Sequence, residues 1–162
     1  MNHELALQYF EIAAEVGDMN AKFTLANWYT SGEIEKRLGR KTSTTQKKQG
    51  YSYMKEAADA GNPVAAFNMG LFACAATNEF STQNYEKAVQ WYNRAISGGF
   101  SAACINLGTM YRIGHGIPRD IKQAREVYEI GARRGDQMCK DILEIMNDPN
   151  LYDKETGALR NE

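Results

Sequence analysis

Histidine and cysteine are scarce in this chain, with two and three among 162 residues. His3 lies near the start and His115 sits in a Gly-x-Gly turn, each without a second histidine, a carboxylate cluster or a thiolate beside it. That pattern provides no zinc-ligand spacing and no general acid–base pair. No catalytic residue, metal or cofactor is expected. Cys74, Cys104 and Cys139 cannot all pair with one another, and they read as small core fillers in a reducing, cytoplasmic setting. No apolar run approaches the roughly 20 residues that span a bilayer. The opening MNHELALQYFEIAAE has acidic residues where a signal peptide needs basic ones, so membrane insertion is not expected. Charge of one sign is missing too: 19 basic against 20 acidic side chains, net −1. Near-neutrality argues against bulk nucleic-acid binding, which needs a basic field. Phosphate loops, nucleophile elbows and dinucleotide fingerprints are all absent. What is left is a non-enzymatic protein of ordinary soluble composition, 43% apolar and 24% charged.

What the sequence does have is a repeat. Helical stretches end at Gly17, Gly61, Gly99 and Gly135, spaced by 44, 38 and 36 residues. Eleven residues before each glycine stands Ala6, Gly50, Ala88 or Ala124; four after stands Ala21, Ala65, Ala103 or Cys139; eight after, Leu25, Met69, Leu107 or Leu143. Bulky pairs recur at Tyr9/Phe10, Tyr53/Met54, Trp91/Tyr92 and Val127/Tyr128. Steps of three, four and seven put these positions on one helix face. Each glycine serves as a left-handed C-cap. Asn2, Asn84 and Asp120 stand at one common offset as N-caps, Asp120 with Gln123 three residues on. A period of this size means stacked helix pairs, none of which buries its apolar face alone. The predicted boundaries are a single solenoid over 2–147. It comprises an unpaired helix over 2–16, repeat 1 over 21–60 with a basic insertion at 33–48, repeat 2 over 65–98, repeat 3 over 102–134 and a capping helix over 136–147. That makes seven or eight helices, followed by a mobile polar tail over 148–162. The unpaired first helix leaves Leu5, Tyr9 and Ile12 as an apolar face on which a second copy can pair as a homodimer.

The run from Ala103 to Ala124, A-x3-LG-x-MY-x2-GHGIPRD-x3-A, resembles the Sel1-like repeat, a relative of the tetratricopeptide repeat. Ala65-x3-Met69-Gly70, KAVQWYNRAISGG, AKFTLANWYTSG and YSYMKEAADAGN are similar, so the resemblance covers about residues 4–146. The second copy departs from it, with TNEFSTQNYE in place of the glycine-rich loop. The paired cysteines of the secreted cysteine-rich members are absent. The resemblance implies an all-α fold, a right-handed α-α superhelical solenoid of antiparallel helix pairs, whose concave wall is lined by the first helix of each pair. It further implies proteins that hold other proteins together or in check, without catalysis.

By that geometry the positions facing the groove are Phe23, Asn27 and Thr30; Phe67, Leu71 and Cys74; and Ile105, Thr109 and Arg112, with Thr24, Asn68 and Asn106 beside them. Phe23, Phe67 and Ile105 share one register. They form either an apolar ladder for a partner or a thickening of the inter-helix core. Asn68 and Asn106 are placed to bond an extended peptide backbone. The insertion EIEKRLGRKTSTTQKK carries six basic and two acidic residues, about +4 against about −5 for the remainder. Read as a loop, it grips an acidic partner through Lys36, Arg37, Arg40, Lys41, Lys47 and Lys48, or it is simply solvated. No aromatic side chain interleaves these charges to stack nucleic-acid bases. The expectation is a cytoplasmic protein–protein interaction module, acting as a bacterial adaptor or regulatory scaffold for a signalling component. Alternatives are an immunity or inhibitor protein that neutralises a toxin or effector, a self-assembling structural protein and, last, a hydrolase.

Overall fold

The computed structural model describes residues 2–75 and 82–153, and among these nine helices and no strand are found. They are α1 (His3–Glu15), α2 (Met19–Thr30), α3 (Glu33–Leu38), α4 (Thr44–Asp59), α5 (Pro63–Cys74), α6 (Tyr85–Ser97), α7 (Ala102–Ile113), α8 (Ile121–Arg133) and α9 (Gln137–Asn147). The expected count of seven or eight is therefore one short. Antiparallel pairs α2/α4, α5/α6 and α7/α8 stack in order, with α1 before them and α9 after, as an all-α solenoid.

The turns between pairs are built identically. Gly17, Gly61, Gly99 and Gly135 have φ of 91–96°, a region open to glycine at little cost. Each lies one residue beyond the C-cap, not at the cap itself as the sequence suggests. The glycine N–H returns to the carbonyl three residues back, and the next N–H to the one five back: Gly17 to Ala14 and Asp18 to Ala13, Gly99 to Ile96 and Phe100 to Ala95. These are Schellman closures. In three of the four, the residue after the glycine also caps the following helix. Asp18, Asn62 and Asp136 accept from the Ala21, Ala65 and Cys139 N–H groups at 2.7–3.0 Å. One residue thus satisfies the ends of two helices, which fixes the angle between successive pairs. Within pairs, the N-cap N–H of the second helix bonds the end of the first: Asn84 to the Ala73 carbonyl and Asp120 to that of Tyr111, each at 2.8 Å. The second copy keeps this tie despite its different loop, of which residues 77–81 lie outside the described residues.

Two predicted boundaries need correction. Residues 33–48 are not a loop. Gly32 and Gly39, both left-handed, bracket the short α3, whose Ile34 is wholly buried among Leu7, Leu25 and Trp28. Ser43 then starts α4 with a capping box to Gln46, three residues before the offset used by Asn2, Asn84 and Asp120. Lys47 and Lys48 consequently belong to the first turn and a half of α4. Nor are residues 148–153 a mobile tail, because Tyr152 is buried in the main core. Residues 154–162 lie outside the described residues.

The core divides in two. Leu7, Ala14, Leu25, Trp28, Tyr29 and Ile34 fill the N-terminal part, with Phe10 edge-on to Trp28 at 5.7 Å. Alanines and bulky residues from Ala26 to Tyr152 fill the rest.

Candidate functional site

The site begins with a size match between facing helices. Gly70 on α5 and Gly108 on α7 lie so close to Tyr92 and Tyr128 that a Cβ on either would stand 2.5 Å from a ring carbon. The corresponding place on α2 holds Ala26, and its partner on α4 is Met54. Each glycine lets a phenol ring run across its helix, so the hydroxyl reaches the first-type helices. The Tyr92 hydroxyl lies 3.8 Å from the Cys74 Sγ and accepts from the Asn106 amide at 3.5 Å. The Tyr128 hydroxyl shares a 3.0 Å hydrogen bond with the Thr109 hydroxyl. Burial pushes the proton affinity of both phenols up, so they remain neutral donors and acceptors across the physiological range. The same cause raises the Cys74 thiol.

Around these groups run two adjoining hollows. One, of about 240 Å³, is lined by Cys74, Tyr92, Asn106, Thr109, Met110, Ile113 and His115. The other, of about 90 Å³, is lined by Thr109, Arg112, Tyr128, Ile142, Ile145, Met146 and Tyr152. Thr109 borders both, so they form one cleft across α5, α7 and α9. Its walls are apolar, with an amide, hydroxyls and a guanidinium at intervals. The Tyr152 hydroxyl is buried with no hydrogen-bond partner among the described residues.

Of the residues singled out from the sequence, Cys74, Asn106, Thr109 and Arg112 line this cleft. Leu71 is exposed on α5. Phe67 is held between Tyr92 and Phe100, at ring separations of 5.9 and 5.1 Å. Phe23 and Ile105 are likewise half-buried against the core. Asn27 donates back to the Phe23 carbonyl and Thr30 to that of Ala26, while the Thr30 methyl faces Gly50 of α4. Asn68 donates to the Met54 sulfur at 3.7 Å, and Thr24 is half-buried on α2. Tyr92, Tyr128 and Tyr152 escaped the reading of the groove, because only first-type helices were taken to supply it. The exchange of Ala26/Met54 for Gly70/Tyr92 and Gly108/Tyr128 was the available signal.

The basic segment is partly neutralised. Arg37 bonds Glu33 at 2.5 Å and lies over the Trp28 ring at 5.1 Å, Lys36 approaches Glu33 at 3.5 Å, and Arg40 reaches Glu4 of α1 at 3.4 Å. The Arg37 hydrogen bond holds the Glu33 carboxyl below its usual range. Lys41, Lys47 and Lys48 are exposed. Among the described residues, no group of three or more His, Cys, Asp or Glu side chains could hold a metal. No described helix is long and apolar enough to cross a membrane. All three cysteines are free.

The Sel1 repeat model matches residues 2–18, 38–62, 63–100 and 101–136. Over 110 residues the chain is 29% identical to chitin synthase regulatory factor 4 of Schizosaccharomyces pombe; the match takes in 65% of this chain and 14% of that protein. A Sel1 repeat protein from Oxalobacter formigenes superposes with a TM-score of 0.72 at 27% identity, over 87% of this chain and 54% of the other. A protective antigen of uropathogenic Escherichia coli gives 0.62 at 27% identity, covering 87% of this chain and 30% of that one. Cysteine-rich protein B of Helicobacter pylori, at 22% identity and a TM-score of 0.58, shares the fold over 86% of this chain and 92% of its own. The chain thus spans a small part of the fungal relative and about half of the Oxalobacter protein.

Proposed function

The chain belongs to the Sel1 repeat family, and from that premise we propose that it binds another protein in the cleft across α5, α7 and α9. Sel1-repeat proteins mediate protein–protein interaction on a scaffold that is typically non-catalytic. The observation that carries the reading is the line of polar groups set at intervals in an apolar wall, from Asn106 through Thr109 to Arg112, backed by the buried hydroxyls of Tyr92 and Tyr128. Such a surface suits an extended peptide segment. Apolar side chains fill the hollows, while its backbone amides and one acidic group meet the amide, the hydroxyls and the guanidinium. The fungal relative is named a regulatory factor, which favours a regulatory adaptor. The toxin-neutralising alternative has no side-chain feature of its own to support it. Exposed Lys41, Lys47 and Lys48 add long-range attraction for an acidic partner and little affinity.

The test is capture from extracts of the source organism by wild type and by two variants. Arg112→Glu should lose the partner with helicity unchanged. Replacing Lys41, Lys47 and Lys48 with Ala should retain it, with weaker salt dependence. Retention by Arg112→Glu would remove the cleft from the account.

A further inference from the structure

Five of the nine exposed large hydrophobic residues among those described cluster at one end of the molecule: Leu5, Tyr9 and Ile12 on α1 and Val16 at its C-cap, with Met19 beside them. The first four are 61, 74, 63 and 83% exposed and, at steps of four, three and four, form one stripe along the helix and its cap. We propose that this stripe is a two-fold contact, through which two copies of the chain associate with their α1 helices antiparallel. The reading is independent of the cleft, which lies at the other end of the solenoid.

A preceding first-type helix does not account for the stripe. On α4, α6 and α8 the position of Leu5 holds Gln49, Lys87 and Gln123, and that of Val16 holds Ala60, Gly98 and Arg134. All six are exposed although those helices have their partners. A helix laid against α1 in the same way would cover Tyr9 and Ile12 and leave Leu5 and Val16 in water. Head-to-tail stacking on α9 fails as well. Where α2 offers Phe23, Ala26 and Tyr29 to its neighbour, α9 has Asp141, Glu144 and Asn147, all exposed. That end presents polar side chains where the α1 end presents apolar ones.

A second copy fits for reasons of symmetry. The spacing of the stripe reads the same in both directions. A two-fold axis between Tyr9 and Ile12 therefore sets Leu5 against Val16 of the other copy, and Tyr9 against its Ile12, the self-complementarity an isologous contact requires. The same axis sets Glu4 opposite Gly17, Glu11 opposite Phe10 and Glu15 opposite Ala6, so no carboxylate meets a carboxylate. The exposed stripe amounts to on the order of 500 Å² per copy and about 1,000 Å² for the pair, the lower bound for a specific interface. The association is accordingly weak and concentration-dependent.

Sedimentation equilibrium on the full chain, from micromolar to several hundred micromolar, should show the average mass rising from 18.2 kDa toward twice that value. Ile12→Glu, at an exposed site, should keep the circular dichroism spectrum and raise the dimer dissociation constant about 100-fold or more, because each copy then buries an unpaired charge. In a Cys74→Ala background, Leu5→Cys mixed with Val16→Cys should form an intermolecular disulfide on oxidation. Leu5→Cys alone should not, since two-fold pairing holds its two copies about 16 Å apart along the helix. A mass that stays at the monomer value throughout would overturn the proposal and leave the stripe to another occupant. A dimer indifferent to Ile12→Glu, or one cross-linked through Leu5 alone, would overturn it equally.

Discussion

Gly108 on α7 is the position where two well-measured tendencies oppose each other. Replacing a mid-helix glycine with alanine gains about 1 kcal/mol from backbone propensity. Here the new methyl would meet the Tyr128 ring at 2.5, 2.7 and 2.8 Å. The ring is fully buried and its hydroxyl is tied to Thr109 at 3.0 Å, so it cannot slide aside without losing that bond. Overpacking of this kind costs about 1–3 kcal/mol. Gly108→Ala should therefore destabilise the protein by up to about 2 kcal/mol net, a fall in Tm of at most about 4–8 °C for a chain of this size. The sharper test uses the pair found in the first repeat, Ala26 with Met54. In a Tyr128→Met background the flexible thioether yields, and the same Gly108→Ala change should now stabilise by about 1 kcal/mol. Thermal and urea denaturation of the four proteins gives the coupling directly. If Gly108→Ala raises stability in both backgrounds, the ring does not depend on the glycine, and the argument for how its hydroxyl reaches the cleft fails.

Ile34→Ala should cost about 2–5 kcal/mol, the usual loss for a fully buried aliphatic side chain. A change within the scatter of surface mutations in urea denaturation would mean that α3 does not dock. Alkaline pH should destabilise the fold. Burial pushes the Cys139 thiol from 9.0 up to about 12 and shifts the Tyr29, Tyr92 and Tyr128 phenols upward as well. The unfolded chain releases these protons first. Stability complete below about pH 9 should fall progressively toward pH 12, and Tm measured at stepped pH must decline over that window.

The repeat was legible because a stacked fold writes each contact several times. Gly61 alone is a turn signal, whereas four glycines with small residues at fixed offsets specify caps, faces and neighbours together. The same redundancy hid whatever occurs once. Helix α3 is six residues long, too short for a periodic signal, and its four charged residues mask Ile34, the buried side chain that anchors it together with Leu38. Tyr152 sits in a polar stretch with Pro149 and nothing to echo it. In the cleft, Asn106, Thr109 and Arg112 could be placed by register, because the first-type helices repeat. The hydroxyls of Tyr92 and Tyr128 arrive from the opposite helix, so the exchange of Ala26/Met54 for Gly70/Tyr92 and Gly108/Tyr128 gains its meaning only when the two helices are seen to face each other.

That path also explains why the two halves of the wall differ in chemistry. In the first repeat Ala26 blocks a ring from crossing, Met54 fills the space, and the Asn68 amide meets a sulfur at 3.7 Å, a weak acceptor. Asn27 and Thr30 spend their donors on their own helix, and the Tyr29 hydroxyl is taken by Glu11 at 2.6 Å. In the second and third repeats, glycine opens the way, and the buried phenol hydroxyls bond Asn106 and Thr109 from behind and so orient them at the cleft wall. The polar groups that the proposed binding mode uses are therefore concentrated between α5 and α9. At the opposite end the exposed surface is a stripe of apolar side chains, Leu5, Tyr9, Ile12 and Val16, with no hydroxyl or amide pattern like that of the cleft. The two surfaces share no residue, so if the cleft takes a partner and α1 a second copy, as proposed above, the two events should proceed on one molecule without competing.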